Sequence, residues 1–136
     1  MSLVLDASLT MAWCFDDEAT PATEAVFDRV RDAGAVVPTI WPVEVTNTIL
    51  VGERRGRLTE AQSTRFVQVL QGLPITLDEG GVTDAWDRVL TVAREQGLSA
   101  YDASYLELAM RRGLPLATLD SRLADAARRV GVPLVG

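Results

Sequence analysis

The chain has 136 residues, 48% of them hydrophobic, a net charge of −6 at neutral pH, a single cysteine and no histidine. That length and apolar content suit one domain with its own core, while the acidic balance argues against a general nucleic-acid coat protein, whose binding depends on phosphate neutralisation. One cysteine without histidine excludes both an intramolecular disulfide framework and a Cys-His catalytic pair, so Cys14 reads as a small buried hydrophobe. No basic leader precedes Leu3-Val4-Leu5, and Pro38, Pro42 and Pro74 cut the apolar stretches short of membrane-spanning length, which predicts a cytoplasmic protein.

Ser2 to Asp6 reads as a short buried strand, and Asp6-Ala7-Ser8 marks its end and the start of a helix through about Trp13. Thr20-Pro21 supplies an N-cap and a first-turn proline to a second helix with apolar positions at Ala22, Ala25, Val26, Phe27 and Val30, closed by Gly34. Ala35 to Val37 is a second strand. Pro42 opens a third helix that runs to about Arg55 and stops at Gly56, and Thr59 caps a fourth that ends near Gln71-Gly72. Ile75 to Leu77 is a third strand. Val82, Ala85, Trp86, Val89 and Ala93 then form a helical stripe ending at Gly97, which predicts Trp86 in the core and not on a base-stacking platform. Ser99 begins the next helix, ending at Arg112-Gly113; Leu114 to Thr118 is a fourth strand, Asp120 to Val130 a last helix and Pro133 to Val135 a closing strand. Strands separated by helices throughout predict a single α/β domain over residues 1–136, a three-layer α/β/α sandwich with a roughly five-stranded parallel sheet. Ligands of such sheets bind at the carboxyl edge.

Four acids fall on the strand ends and first helical turns of that reading: Asp6, Glu44, Asp102 and Asp120. Each has an ordinary structural role open to it. Asp6 could cap the first helix, although Ser8 could do so instead. Glu44 could simply favour the positive end of the third helix, worth about 0.3–1 kcal/mol, with Asn47 and Thr48 on the same face to orient its carboxylate. Ser99-Ala100-Tyr101-Asp102 has the form of an acidic capping box, and Asp120 is placed to cap the last helix. The four together are a different matter, because two bare carboxylates about 4 Å apart repel by roughly 4 kcal/mol at an effective dielectric near 20. All 13 basic residues are arginine, and the chain has no lysine or histidine to relieve the charge. A divalent cation is the simplest neutraliser, and oxygen-only ligation points to Mg²⁺ or Mn²⁺ over zinc.

The arginines group at Arg54, Arg55 and Arg57, at Arg111 and Arg112, and at Arg128 and Arg129. Basic patches beside an acidic site and cations placed near helix C-termini explain these groups equally well.

Four segments carry a family resemblance: Val4-Leu5-Asp6-Ala7-Ser8; Glu44 followed by Asn47 and Leu50; Leu98-Ser99-Ala100-Tyr101-Asp102-Ala103-Ser104-Tyr105-Leu106-Glu107-Leu108-Ala109; and Leu114-Pro115-Leu116-Ala117-Thr118-Leu119-Asp120. Through them the whole chain resembles PIN-domain proteins, specifically the VapC-type toxin ribonucleases of bacterial toxin-antitoxin pairs. The resemblance puts Asp6, Glu44, Asp102 and Asp120 on the family's acidic site, with Ser8, Asn47 and Thr118 as supporting polar groups. It implies endonucleolytic cleavage of RNA phosphodiesters with Mg²⁺ or Mn²⁺, often in structured RNAs such as tRNA or rRNA. A cognate antitoxin and a homodimer are implied as well. Many relatives carry a basic residue before the tryptophan of the first helix, where this chain has Ala12; a substrate contact at that point is therefore not carried over. Asp125 reads as a solvent-facing charge outside the site.

The residues themselves leave room for a partner: Trp13 and Phe15 beside Asp16, Asp17 and Glu18 could form an apolar groove with an acidic rim, suited to a basic amphipathic peptide, or could pack under the second helix. Two rival functions follow from other readings. A phosphoaspartyl domain also places an aspartate after its first strand, but typically adds a lysine, and this chain has none. A non-catalytic PIN-like module would use the acids as helix caps and only bind RNA or protein.

Overall fold

A computed structural model of the chain describes residues 2–80 and 82–135. The sheet is parallel throughout, in the order β3-β2-β1-β4, with β1 Leu3–Leu5, β2 Ala35–Val37, β3 Ile75–Leu77 and β4 Leu116–Ala117. Every residue of β1, β2 and β4 is buried. Successive strand residues point to opposite faces, so burial without alternation means that helices cover both sides, the three-layer α/β arrangement predicted from the chain order. The edge strand β3 is the exception, with Leu77 exposed.

The sheet has four strands, one fewer than predicted. Pro133 to Val135 runs alongside β4 but contributes only an isolated bridge from Leu134 to Leu116, flanked by hydrogen bonds from Leu116 to Pro133 and from Val135 to Leu116. β4 itself is two residues long, where Leu114 to Thr118 was expected. Pro133 lacks a donor, and two residues of partner strand leave little for a fifth strand to pair with.

Helices α1 Ala7–Ala12, α2 Pro21–Ala33, α3 Trp41–Arg54 and α4 Glu60–Gln71 match the expected segments, with a short 3₁₀ turn at Asp16–Glu18. Thr20 and Thr59 both form reciprocal capping boxes, with Thr23 and Gln62 respectively. The next helical stretch is α5 Val82–Asp84, a π-helical segment Ala85–Val89 and α6 Leu90–Gln96. Trp86 is 71% exposed, not core. The wider π turn breaks the 3.6-residue period on which the Val82-Ala85-Trp86-Val89 stripe rested, so the stripe does not stay on one face. Helices α7 Ala100–Arg112 and α8 Ser121–Val130 complete the chain. Among the described residues no helix is long and apolar enough to cross a membrane.

Candidate acidic active site

β1 and β4 are neighbours, so their carboxyl ends deliver two turns side by side: Asp6-Ala7-Ser8 into α1, and Thr118-Leu119-Asp120 into α8. Hydroxyl groups lock these turns together. Ser8 Oγ shares its proton between the two carboxylate oxygens of Asp6, 2.8 Å from each, and accepts the Leu119 N–H at 2.9 Å. The Thr118 hydroxyl donates to Asp6 Oδ2 in a short hydrogen bond and accepts the Asp120 N–H at 3.0 Å. Asp6 also caps α1 by accepting the Leu9 N–H, and Asp120 caps α8 by accepting that of Leu123.

Asp6 is only 3% exposed. Burial is the main reason its carboxyl is pushed up to about 6; the charge of Asp102 adds to the rise, and the donors Leu9, Thr118 and Ser8 oppose it. Among the described residues no arginine pairs with it.

Glu44 arrives on the first turn of α3, and a buried relay fixes that turn. Thr10 on α1 donates its hydroxyl to the Asp6 carbonyl at 2.7 Å and accepts the Trp41 indole N–H at 3.0 Å. Trp41 thereby ties the start of α3 to the end of β1. Tyr105, one turn along α7 from Asp102 and almost fully buried, donates its hydroxyl to Glu44 Oε1 at 2.5 Å. Burial, then the Glu44 carboxylate, raise the Tyr105 phenol far above its ordinary value, so it remains a donor. Asp102 is half-buried. Its carboxyl is raised by burial and then by the charges of Asp120 and Glu44.

Asp6, Glu44, Asp102 and Asp120 thus line one cavity of about 340 Å³, with Ser8, Thr48, Tyr105 and Arg57 in its wall. The carboxylates face the cavity without converging on one point: among the described residues no three of them are gathered as a ready-made ion site. Asp6 is turned into its hydroxyl bonds and Glu44 into its bond with Tyr105, which keeps like charges apart. The donor set is nonetheless all oxygen, buried on one side and short of positive charge, which fits a hard divalent cation.

Several sequence expectations change here. Asn47 is exposed and does not line the cavity; Thr48 does, with its hydroxyl donated to the Glu44 carbonyl. The helix turns Asn47 outward, because only part of the three-residue polar run Thr46-Asn47-Thr48 can face inward. Ser99 caps α7 by accepting the Asp102 N–H, but the reciprocal half of a capping box is not formed, which leaves the Asp102 carboxylate to face the cavity. Asp125 is exposed and paired with Arg128, as expected. Arg111 and Arg112 bind Asp78, and Arg129 binds Gln96, so those arginine groups are structural. Of the Arg54, Arg55 and Arg57 group, Arg57 lines the cavity, and so does Tyr105, which the sequence does not single out as a site residue. Nothing local in the sequence signals that the Tyr105 hydroxyl reaches Glu44, 61 residues away.

Cys14 is half-buried and free, its thiol raised mainly by burial. It lines a second cleft of about 560 Å³ with Trp13, Phe15, Asp16, Asp17, Arg57 and Phe66. Both readings of the aromatic pair hold in part. Trp13 packs edge-on against Phe27 of α2 and donates its indole N–H to the Thr23 carbonyl, yet still borders the cleft.

The PIN domain family model matches residues 3–129. The chain belongs to the PIN-domain family. It is similar to Ribonuclease VapC3 of Pyrobaculum aerophilum, 27% identical over 125 residues that cover 92% of this chain and 94% of that protein. The crystal structure of PAE2754 from the same organism superposes with a TM-score of 0.71 at 26% identity, covering 93% of this chain and 84% of that one. FitAcB from Neisseria gonorrhoeae shares the fold, with a TM-score of 0.62 at 19% identity over 100% of this chain and 97% of its own. The parallel sheet and the helices flanking it are therefore those of a PIN domain.

Proposed function

We propose that this PIN-domain protein is a metal-dependent endoribonuclease of the VapC toxin type, acting in the cytoplasm. The observation that carries the reading is the convergence of four acids from four separate segments on one cavity, with Asp102 charge-coupled to the other three. The similarity to Ribonuclease VapC3 supports the substrate class. Asp6, Asp102 and Asp120 would hold Mg²⁺ or Mn²⁺, and Glu44 would bind the ion or position a water. A divalent ion held there supplies a Lewis acid that activates water and offsets charge on the reacting phosphate. The protein's own groups set the geometry: Ser8 and Thr118 aim Asp6, Tyr105 aims Glu44, and the Thr10-Trp41 relay holds α3 against β1.

Titration of Mn²⁺ into the wild type and an Asp6→Asn/Asp102→Asn variant, with cleavage of total RNA in the presence and absence of EDTA, tests this reading. We expect specific binding and EDTA-sensitive cleavage in the wild type and neither in the folded variant; full activity in the variant would refute the assignment.

A cognate antitoxin belongs to the same proposal, its basic segment lying in the cleft at Trp13, Phe15, Asp16 and Asp17; co-purification of a small basic protein is its test. Homodimerisation is part of it too, and Val82, Trp86 and Leu90 are exposed apolar candidates for the contact. A second reading, a non-catalytic PIN-like binding module, is favoured by one observation: Asp6 and Asp120 both act as helix caps. It predicts no specific Mn²⁺ binding.

A further inference from the structure

Among the described residues Arg57 is the one basic side chain in the wall of the acidic cavity, and it lines the neighbouring aromatic cleft as well. Its guanidinium carbon lies 3.8 Å from the centre of the Phe15 ring, which is itself only 5% exposed and forms a fixed platform. The backbone is shaped to bring the two together. Gly52 lets the end of α3 close on that ring: a Cβ there would come within 3.2 Å of Phe15 and 3.1 Å of Leu58. Gly56, at φ +74°, then turns the chain so that the Arg57 N–H returns to the Gly52 carbonyl at 2.8 Å.

The hydrogen bonds of Arg57 to protein acceptors all run through one nitrogen. Nη2 donates to Asp17 at 3.0 and 3.3 Å and to Glu18 at 3.2 Å, while Nε and Nη1 make no hydrogen bond among the described residues. These are exposed ion pairs, weak in water and readily exchanged. A stacked guanidinium with unused donors suits a phosphate oxygen. The cavity also has need of it, because four carboxylates bring more negative charge than one divalent ion cancels, and an RNA backbone entering there would be repelled.

We propose that Arg57 is the phosphate-gripping residue of this site, moving its donors from Asp17 and Glu18 to the RNA backbone as the strand enters the acidic cavity across Phe15. The inference rests on the ribonuclease reading and adds to it a substrate-positioning side chain outside the four acids.

Initial rates on total RNA with Mn²⁺, over a range of salt, test it in the full chain. Arg57→Gln keeps the side-chain stem over Phe15 and loses the charge. It should raise KM roughly tenfold with kcat nearly unchanged, as for a contact made equally in ground and transition states, and the salt dependence of kcat/KM should shallow by about 0.7, one phosphate contact on a single strand. Arg31→Gln is the control, because Arg31 is paired with Asp28 and Asp32 in the same exposed way but lines neither the acidic cavity nor the aromatic cleft; it should change nothing. Asp17→Asn/Glu18→Gln separates gripping from a structural role. Freeing Arg57 should lower KM, and that gain should vanish in the Arg57→Gln background; a structural ion pair predicts harm in both. Wild-type KM and salt slope in a folded Arg57→Gln, or an equal gain from the acid substitutions in both backgrounds, would overturn the proposal. Should Arg57→Gln not fold, Arg57→Lys serves as the background, and an unchanged or raised KM on removing the acids overturns it equally. A wild type that leaves total RNA intact in Mn²⁺ removes the ribonuclease reading and this inference together, whereas cleavage with no Arg57 effect removes this inference alone.

Discussion

Asp6 and Asp78 each follow a strand, β1 and β3, and are buried to a similar extent, at 3% and 8% exposed, yet they are held in opposite ways. Asp78 is met by Arg111 at 2.6 Å and Arg112 at 2.9 Å, with Glu107 sharing Arg111 at 2.8 Å. These arginines hold its carboxyl below the ordinary value. Asp6 receives only hydroxyls and one N–H, and burial raises it. One buried acid is spent on the fold, joining β3 to α7. The other faces a cavity with only hydroxyl and amide donors around it, an environment that burial dominates.

The largest effect should come from breaking the first arrangement. Asp78→Ala leaves Arg112 without its carboxylate and Arg111 with Glu107 alone in a partly buried setting, and should cost about 3 kcal/mol in urea unfolding, with Mn²⁺ binding unchanged. Metal should separate the regions next. Saturating Mn²⁺, at about a hundred times its dissociation constant, should stabilise the wild type by about 2.7 kcal/mol and the Asp6→Asn/Asp102→Asn variant not at all, as read by thermal unfolding.

The pH dependence sharpens the same contrast, because the two aspartates have opposite signs. The folded-state pKa of Asp78 lies below its unfolded value, so its contribution is present above the ordinary carboxylate range and is lost as pH falls through the folded value. Asp6, raised to about 6, binds its proton more tightly in the folded chain; its contribution favours the fold in acid and is lost as pH rises from about 4 through about 6. In EDTA, Asp6→Asn should therefore gain about 1 kcal/mol of stability near pH 7 and nothing below pH 4, while Asp78→Asn loses stability near pH 7 and loses less in acid. The smallest effect belongs to Tyr105→Phe. Loss of the hydroxyl that aims Glu44 should cost about 1 kcal/mol of stability and weaken Mn²⁺ binding severalfold, checked by the same titration.

Much of the fold could be read from local pattern. The apolar runs at Leu3–Leu5 and Ala35–Val37, the threonine caps at Thr20 and Thr59, and the glycine stops at Gly97 and Gly113 all act within a few residues, where steric and hydrogen-bonding preferences decide. Local rules give way where a non-local choice decides. Trp86 continued an apolar stripe on paper, but the π turn carried it into solvent. Pro133 to Val135 looked like a strand, but its neighbour β4 offers two residues. Asn47 sat one position from Thr48, and the orientation of α3 admitted only the latter to the cavity.

The four acids show the same division. By itself the sequence determined their chemistry and approximate height: carboxylates at strand ends and first helical turns, in a chain with no histidine or lysine, all directed to the carboxyl edge of a parallel sheet. Only the tertiary structure decided how Asp6 and Glu44 are held, since their partners lie far along the chain, Thr118 for Asp6 and Tyr105 for Glu44, just as Arg111 is for the structural Asp78. Burial sets a carboxylate's charge cost, and packing decides whether an arginine or a hydroxyl arrives to meet it. That choice is made between elements, where local sequence preferences have no reach.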